Sequence, residues 1–139
     1  MKIFTDKIGF ETKGDCDIVD ITPELEKILE KSKIKTGILN VFIAGATGAI
    51  TTIEYEPGLV SDLQNLLKKI APEAGEYGHN KTHSESNAHS HLRASLLGPS
   101  LTVPADNGKM VLGVWQQIIF VDMDNRPRKR EVLVKIIGE

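Results

Sequence analysis

A single cysteine, Cys16, rules out an intramolecular disulfide and fits a reducing compartment, so the expected location is cytoplasmic. Its neighbours Asp15 and Asp17 disfavour the thiolate, which argues against a nucleophilic role. Long apolar runs are missing too. Nothing approaches the ~20 residues that a spanning helix needs, and Lys2, Asp6 and Lys7 interrupt the N-terminus, so neither a signal peptide nor a membrane span is read. Charge of one sign is not in excess. A net charge of −2 supplies no field for capturing nucleic acid or an anionic membrane, and no aromatic and basic residues interleave. No internal repeat, heptad run, linker or low-complexity tract divides the chain. Its 139 residues, 40% hydrophobic and 26% charged, make one domain over 1–139 that is able to build a core.

What is present is concentrated. All four histidines lie in the window His79 to His91, among Thr, Ser, Asn and Glu. Clustering of groups that titrate near neutral pH marks a candidate site. His89 and His91, two apart, project to one face of an extended strand, and His79 can fold back to supply a third nitrogen. Three protein ligands plus water is the arrangement of a catalytic or substrate-binding metal, so the expected cofactor is a divalent ion, zinc or magnesium. His83, between Thr82 and Ser84, is read as solvated. Glu54 and Glu85 are the acidic candidates for a fourth ligand or a base. Arg93 shares the His91 face if the segment is a strand, and its guanidinium fork suits a phosphorylated substrate. The spacing matches neither HExxH nor a CxxC pattern. The alternative is a polar surface loop whose histidines bond only Ser and Asn. Arg126, Arg128 and Arg130 flank a turn, where solvated charge is commonplace. Gly45-Ala46-Thr47-Gly48 could cradle an anion, although tight turns use the same residues.

The remaining chain reads as scaffolding. Strands are expected over 1–11, 14–21, 37–44 and 49–55. A helix starts at Thr22-Pro23 with Glu24 and Glu26 in its first turn, and a second follows from Leu59, Leu63, Leu66, Leu67 and Ile70 at helical spacing. Leu92 to Val103 is read as a strand leading to an Asn107-Gly108 hairpin. Met110 to Val121 is read as one strand, apolar on both faces and covered by a second layer or another subunit. Arg128 to Ile137 alternates as the last strand. The resulting class is α+β, with two main helices covering one side of mainly antiparallel sheet. Gln116 and Gln117 interrupt the apolar run and need hydrogen-bond partners if buried.

The stretch Asn87-Ala88-His89-Ser90-His91-Leu92-Arg93-Ala94-Ser95-Leu96-Leu97-Gly98-Pro99-Ser100, with Tyr77-Gly78-His79-Asn80 before it and Leu112-Gly113-Val114-Trp115-Gln116-Gln117 after it, resembles the YjbQ family. This family is also called uncharacterised protein family 0047 or secondary thiamine-phosphate synthase. The resemblance implies a homotrimer with β-sheets packed around the threefold axis. It also implies a weak thiamine-phosphate synthase activity that joins a pyrimidine diphosphate to a thiazole phosphate and releases pyrophosphate. His79 and His91 match the family's recurring histidines and Glu54 its recurring acid; taken with the reading of the residues, His79, His89 and His91 hold the metal, Glu54 and Arg93 are catalytic, and the partner is a small phosphorylated metabolite. Many family members carry a histidine at Gly45 and a proline at His89, so His89 is expected to stand in for the imidazole missing at Gly45. A metal-assisted hydrolase and a non-catalytic trimeric anion-binding protein are the alternatives.

Overall fold

The computed structural model describes residues Met1–Glu139. It contains β1 (Lys2–Thr12), β2 (Asp17–Asp20), α1 (Thr22–Ser32), β3 (Gly37–Ile43), β4 (Gly48–Ile53), α2 (Pro57–Ile70), α3 (Gly78–Thr82), α4 (Ala88–Leu97), β5 (Ser100–Asp106), β6 (Lys109–Met110), β7 (Gln117–Asp122) and β8 (Arg128–Gly138). The strands form a large sheet in the order β1-β8-β3-β5-β6 and a small sheet in the order β2-β7-β4. Every pairing is antiparallel. The α+β class expected from the sequence is the one observed. No helix is long and apolar enough to cross a membrane.

Strand β7 explains the layering. Alternate side chains of a strand point to opposite faces. Ile118 and Phe120 enter the core shared by the two sheets and α1, whereas Ile119 and Val121 enter a second core with Cys16, Ala49, Leu67, Ala94 and Met123. Helices α2 and α4 therefore lie on the far face of the small sheet, which makes three layers. The double-sided apolar pattern is thus satisfied within the chain, by a second layer rather than by another subunit. The expected strand from Met110 to Val121 is broken, however. Residues 111–116 leave the large sheet, run exposed apart from Leu112, which packs on the main core, and enter the small sheet at Gln117.

Local signals account for several boundaries. Pro57 sits in the first turn of α2, and the Glu56 carboxylate caps it by accepting from the amides of Gly58 and Leu59. Pro23 opens α1 in the same way. The hairpin between β5 and β6 turns on Asn107 and Gly108, both with positive φ, as a two-residue turn of that hand requires.

One polar contact joins the sheets. Asp122, at the end of β7, is fully buried. It accepts from Arg130 Nε at 2.7 Å and Nη2 at 2.8 Å, from Thr12 Oγ1 and from the amide of Asp124 at 2.9 Å. Arg130 also donates from Nη2 to Thr47 Oγ1 at 3.0 Å, and its guanidinium lies over the Phe120 ring. Burial by itself would push the Asp122 carboxyl up, but Arg130, Thr12 and the Asp124 amide together hold it below the ordinary aspartate value. A carboxyl held low stabilises the fold fully above its unfolded value and loses that contribution as pH falls through the folded one. Arg130→Met, which leaves a buried carboxylate without its cation, is expected to cost about 3–5 kcal/mol at neutral pH. Denaturant melts should show this penalty shrinking as the pH is lowered, because the orphaned carboxyl then protonates.

Candidate functional site

The segment from Leu92 to Leu97, expected as a strand, belongs to helix α4, and this overturns the facing of the histidines. At 3.6 residues per turn, positions two apart point about 200° away from each other. His91 therefore turns outward, while His89 and Arg93, four apart, share the inward face. His89 is 3% exposed and Arg93 2%. The Arg93 guanidinium donates from Nε to the Ala71 carbonyl at 2.9 Å and from Nη1 to Cys16 Sγ at 3.4 Å. It ties α4 to the end of α2 and to the loop before β2, and it does not share the His91 face. The expectation of a catalytic Arg93 beside His91 is corrected: its side chain is interior structure. The idea that His89 replaces an imidazole at Gly45 fails for the same geometric reason, because Gly45 lies beside His91 in one groove.

The imidazoles that do come together are His79, His83 and His91. The His79 ring stacks on His83 with centroids 4.8 Å apart and planes 17° apart, and its centroid is 5.1 Å from that of His91. His83 is exposed, as expected for a solvated residue, yet it covers His79. Helix α3, only Gly78–Thr82, is what lifts His79 across to α4. The Asn80 side chain then accepts from the Ala88 amide at 3.3 Å, which fastens the two helices. Near-parallel stacked rings do not turn two nitrogens to one point, and no group of three or more His, Cys, Asp or Glu is placed to hold a metal ion. The expected cage of His79, His89 and His91 does not fit the arrangement within one chain. Nor does Glu54 join it. That residue is exposed just past the far end of β4, about 20 Å along the chain from Gly48.

His91 instead borders a groove of about 510 Å³ between α4 and the loop from β3 to β4, with Ala46, Gly48, Leu92, Ala94 and Pro99 among its walls. The loop backbone is held open by Gly45 at φ +154°, and Nη1 of Arg130 lies 3.8 Å from where a Cβ on Gly45 would be. That nitrogen is the one Asp122 and Thr47 do not engage. Gly45 and Ala46 are exposed, and their amides make no backbone hydrogen bond. The groove thus has an apolar floor and is bordered by the His91 imidazole and by the Gly45 and Ala46 amides, with Nη1 of Arg130 close to Gly45, and amides of this kind beside cations suit an oxyanion. Arg130 was legible in the sequence only as one of several turn cations, and nothing local distinguished it from Arg128, which pairs with Asp124 at 2.7 Å. Gln116 and Gln117 find partners inside the chain. Gln116 donates to Thr52 and accepts from Gly113, while Gln117 accepts from the Tyr55 amide.

A two-sheet α+β layer structure with a histidine helix on the small sheet defines the class of this protein, and the comparisons give its family. A family model described as UPF0047 protein YjbQ-like matches residues 6–139. A UPF0047 protein of Methanothermobacter thermautotrophicus is 42% identical over 139 residues, which is 100% of this chain and 95% of the relative. The solved structure of a YbjQ-like protein of unknown function from Sulfolobus solfataricus has a TM-score of 0.94 at 38% identity and covers 99% of each chain. A YjbQ/UPF0047 protein from Clostridium acetobutylicum gives 0.87 at 35%, covering 95% of this chain and 99% of that one. The chain belongs to the YjbQ (UPF0047) family.

His89 has a consequence for stability. Burial first, and then the neighbouring Arg93 charge, lower its pKa below the ordinary histidine value near 6.5. The unfolded chain therefore takes up a proton before the folded one as pH falls. Stability is full above the unfolded value and is lost through the window below it. Replacing His89→Leu should flatten the dependence of unfolding free energy on pH between about 7 and 5. Denaturant titrations across that range read the slope directly.

Proposed function

We propose that the groove between α4 and the Gly45–Gly48 loop binds a small phosphorylated metabolite. Its oxyanion would be held by His91 and His79, by the Gly45 and Ala46 amides, and by Nη1 of Arg130. The reading rests on one observation: the His91 imidazole and the Gly45–Ala46 loop line one apolar groove, with the His79 ring beside His91 and a guanidinium nitrogen beside Gly45. The apolar floor suits a heterocyclic ring attached to the phosphate. The reaction that fits is of the thiamine-phosphate synthase type. The bond from the pyrimidine methylene to the diphosphate oxygen breaks, the bond to the thiazole nitrogen forms, and negative charge accumulates on the departing diphosphate. Preplaced N–H donors and cations favour that change because they bind the leaving group more tightly than the ester. A divalent ion, zinc or magnesium, would take diphosphate oxygens as its main ligands, since the imidazoles of one chain do not converge.

We further propose the homotrimer of packed sheets. The outer face of the large sheet carries an apolar row in which Ile3 pairs with Ile137 and Ile137 with Ile38. All three are exposed, a contiguous patch of the kind that marks an interface. A second reading, binding without turnover, is favoured by the position of Glu54, which leaves the histidines without that expected base in their own chain.

Inorganic pyrophosphate tests the reading. It should raise the melting temperature of the wild type by several degrees at saturation, in line with about 2.7 kcal/mol at a hundredfold excess over Kd. His91→Ala should abolish that rise while its own unliganded melting point stays within a few degrees of wild type, since His91 is not a core residue. No pyrophosphate-dependent shift in the wild type defeats the proposal. Release of pyrophosphate from the paired pyrimidine and thiazole substrates separates catalysis from binding.

A further inference from the structure

Beyond Leu112, which packs against the main core, residues 113–116 are exposed and form an arm with an apolar tip. Val114 is 84% exposed and Trp115 71%, and Gln116 props the turn by accepting from the Gly113 amide at 3.0 Å. Large side chains left this open are costly on a free surface and mark contact sites. The arm is rooted at one end of β4, because Gln116 donates to Thr52 and Gln117 pairs with Ile53. The groove beside His91 is at the other end, where Gly48 lines it. About 17 Å of strand separates the two, so the arm does not fill its own groove.

We infer that the Trp115 arm of a second copy of this chain docks against the apolar floor of the His91 groove and completes the site. The two surfaces match in character: Val114 and Trp115 on one side, Ala46, Leu92, Ala94 and Pro99 on the other. Charge matches as well. Glu54 follows Ile53, which pairs with Gln117 at the root of the arm, so docking brings an acid of one chain to the groove of the next that His91 lines. The expected pairing of Glu54 with the histidines is then met between chains rather than within one. Arm and groove are different patches, so the contact is head-to-tail, and in the proposed homotrimer each arm would enter the groove of the next chain. This deepens the proposed function by supplying the missing wall and the missing acid, and it rests on that reading only for the identity of the ligand.

Trp115 is the sole tryptophan, so its fluorescence reports the arm alone. In the wild type, acrylamide should quench it weakly. In Leu92→Glu, which puts a charge on the groove floor at an exposed position, quenching should rise several-fold while circular dichroism is unchanged. A double variant, Leu92→Cys with Val114→Cys, should form intermolecular disulfides on mild oxidation and run as covalent multimers, whereas neither single variant should give more than dimers. Free quenching of Trp115 in the wild type, or a double variant that stays monomeric under oxidant, overturns the inference. Pyrophosphate binding is scored separately. Loss of the thermal shift with a shielded Trp115 rejects the ligand and keeps the docking, and the opposite pattern rejects the docking alone.

Discussion

A buried charge pair between Asp122 and Arg130 holds the two sheets in register. The carboxylate belongs to the small sheet, and the guanidinium and Thr12 belong to the large one. Ions taken out of water cost several kcal/mol unless their remaining hydrogen-bonding capacity is filled, and here the contacts from both sheets fill it. A slip of β7 by one residue would swing Asp122 to the opposite face and strand both charges. The same contact shapes the candidate site. Gly48 lies opposite Asp122 in the β4–β7 ladder, and Arg130 holds Thr47. The loop that walls the groove is thereby fixed by the residues that fix the sheets, so stability and site geometry share atoms.

From that register the second core follows. With Asp122 set, Val121 and Ile119 must face away from the large sheet, and they need a cover. Leu67 of α2 and Ala94 of α4 supply it. The small size of Ala94 lets α4 lie close over β4, and Arg93 reaches back to the Ala71 carbonyl just past the end of α2. The helix that carries His91 is therefore positioned by the apolar demand of a strand twenty-odd residues downstream of it.

Much of the fold was legible in the sequence where the determinant is local. The α2 stripe, the prolines of α1 and α2 and the Asn107-Gly108 turn each carry their own signal within a few residues. Helix α4 carried none. Its inward face is built from His89, Ser90, Arg93 and Ala94, polar types that hide an apolar stripe, and His-Ser-His alone imitates the alternation of a strand. The run Met110 to Val121 misled for the complementary reason. Its apolar character has two causes, an exposed arm and a buried strand, which composition does not distinguish. Of the candidate site, the histidine window and His91 were readable. The facing of His89 and Arg93, and the selection of Arg130 among the turn cations, depend on contacts between residues far apart in the chain.

Helix α4 also revises what four clustered histidines mean. A helix at this depth would ordinarily show polar residues on one side only, whereas this one carries them on both. The inward set is costly, and the buried side-chain atoms with no partner inside the chain are Asn87 Oδ1, His89 Nδ1, Ser90 Oγ and His79 Nδ1, all from this one stretch. Such unmet groups collect where function outweighs stability. Arg93 is buried without a carboxylate partner and favours a neutral His89 beside it, so that imidazole serves the interior. His91 on the opposite face is half-buried and borders the groove, with the His79 ring beside it and His83 stacked on His79. Counting histidines in the sequence therefore overstates the ligands that one chain can offer. The proposed oxyanion site follows from that difference: a bare metal ion asks for several convergent nitrogens, whereas an oxyanion asks only for donors such as His91 and the open amides of Gly45 and Ala46.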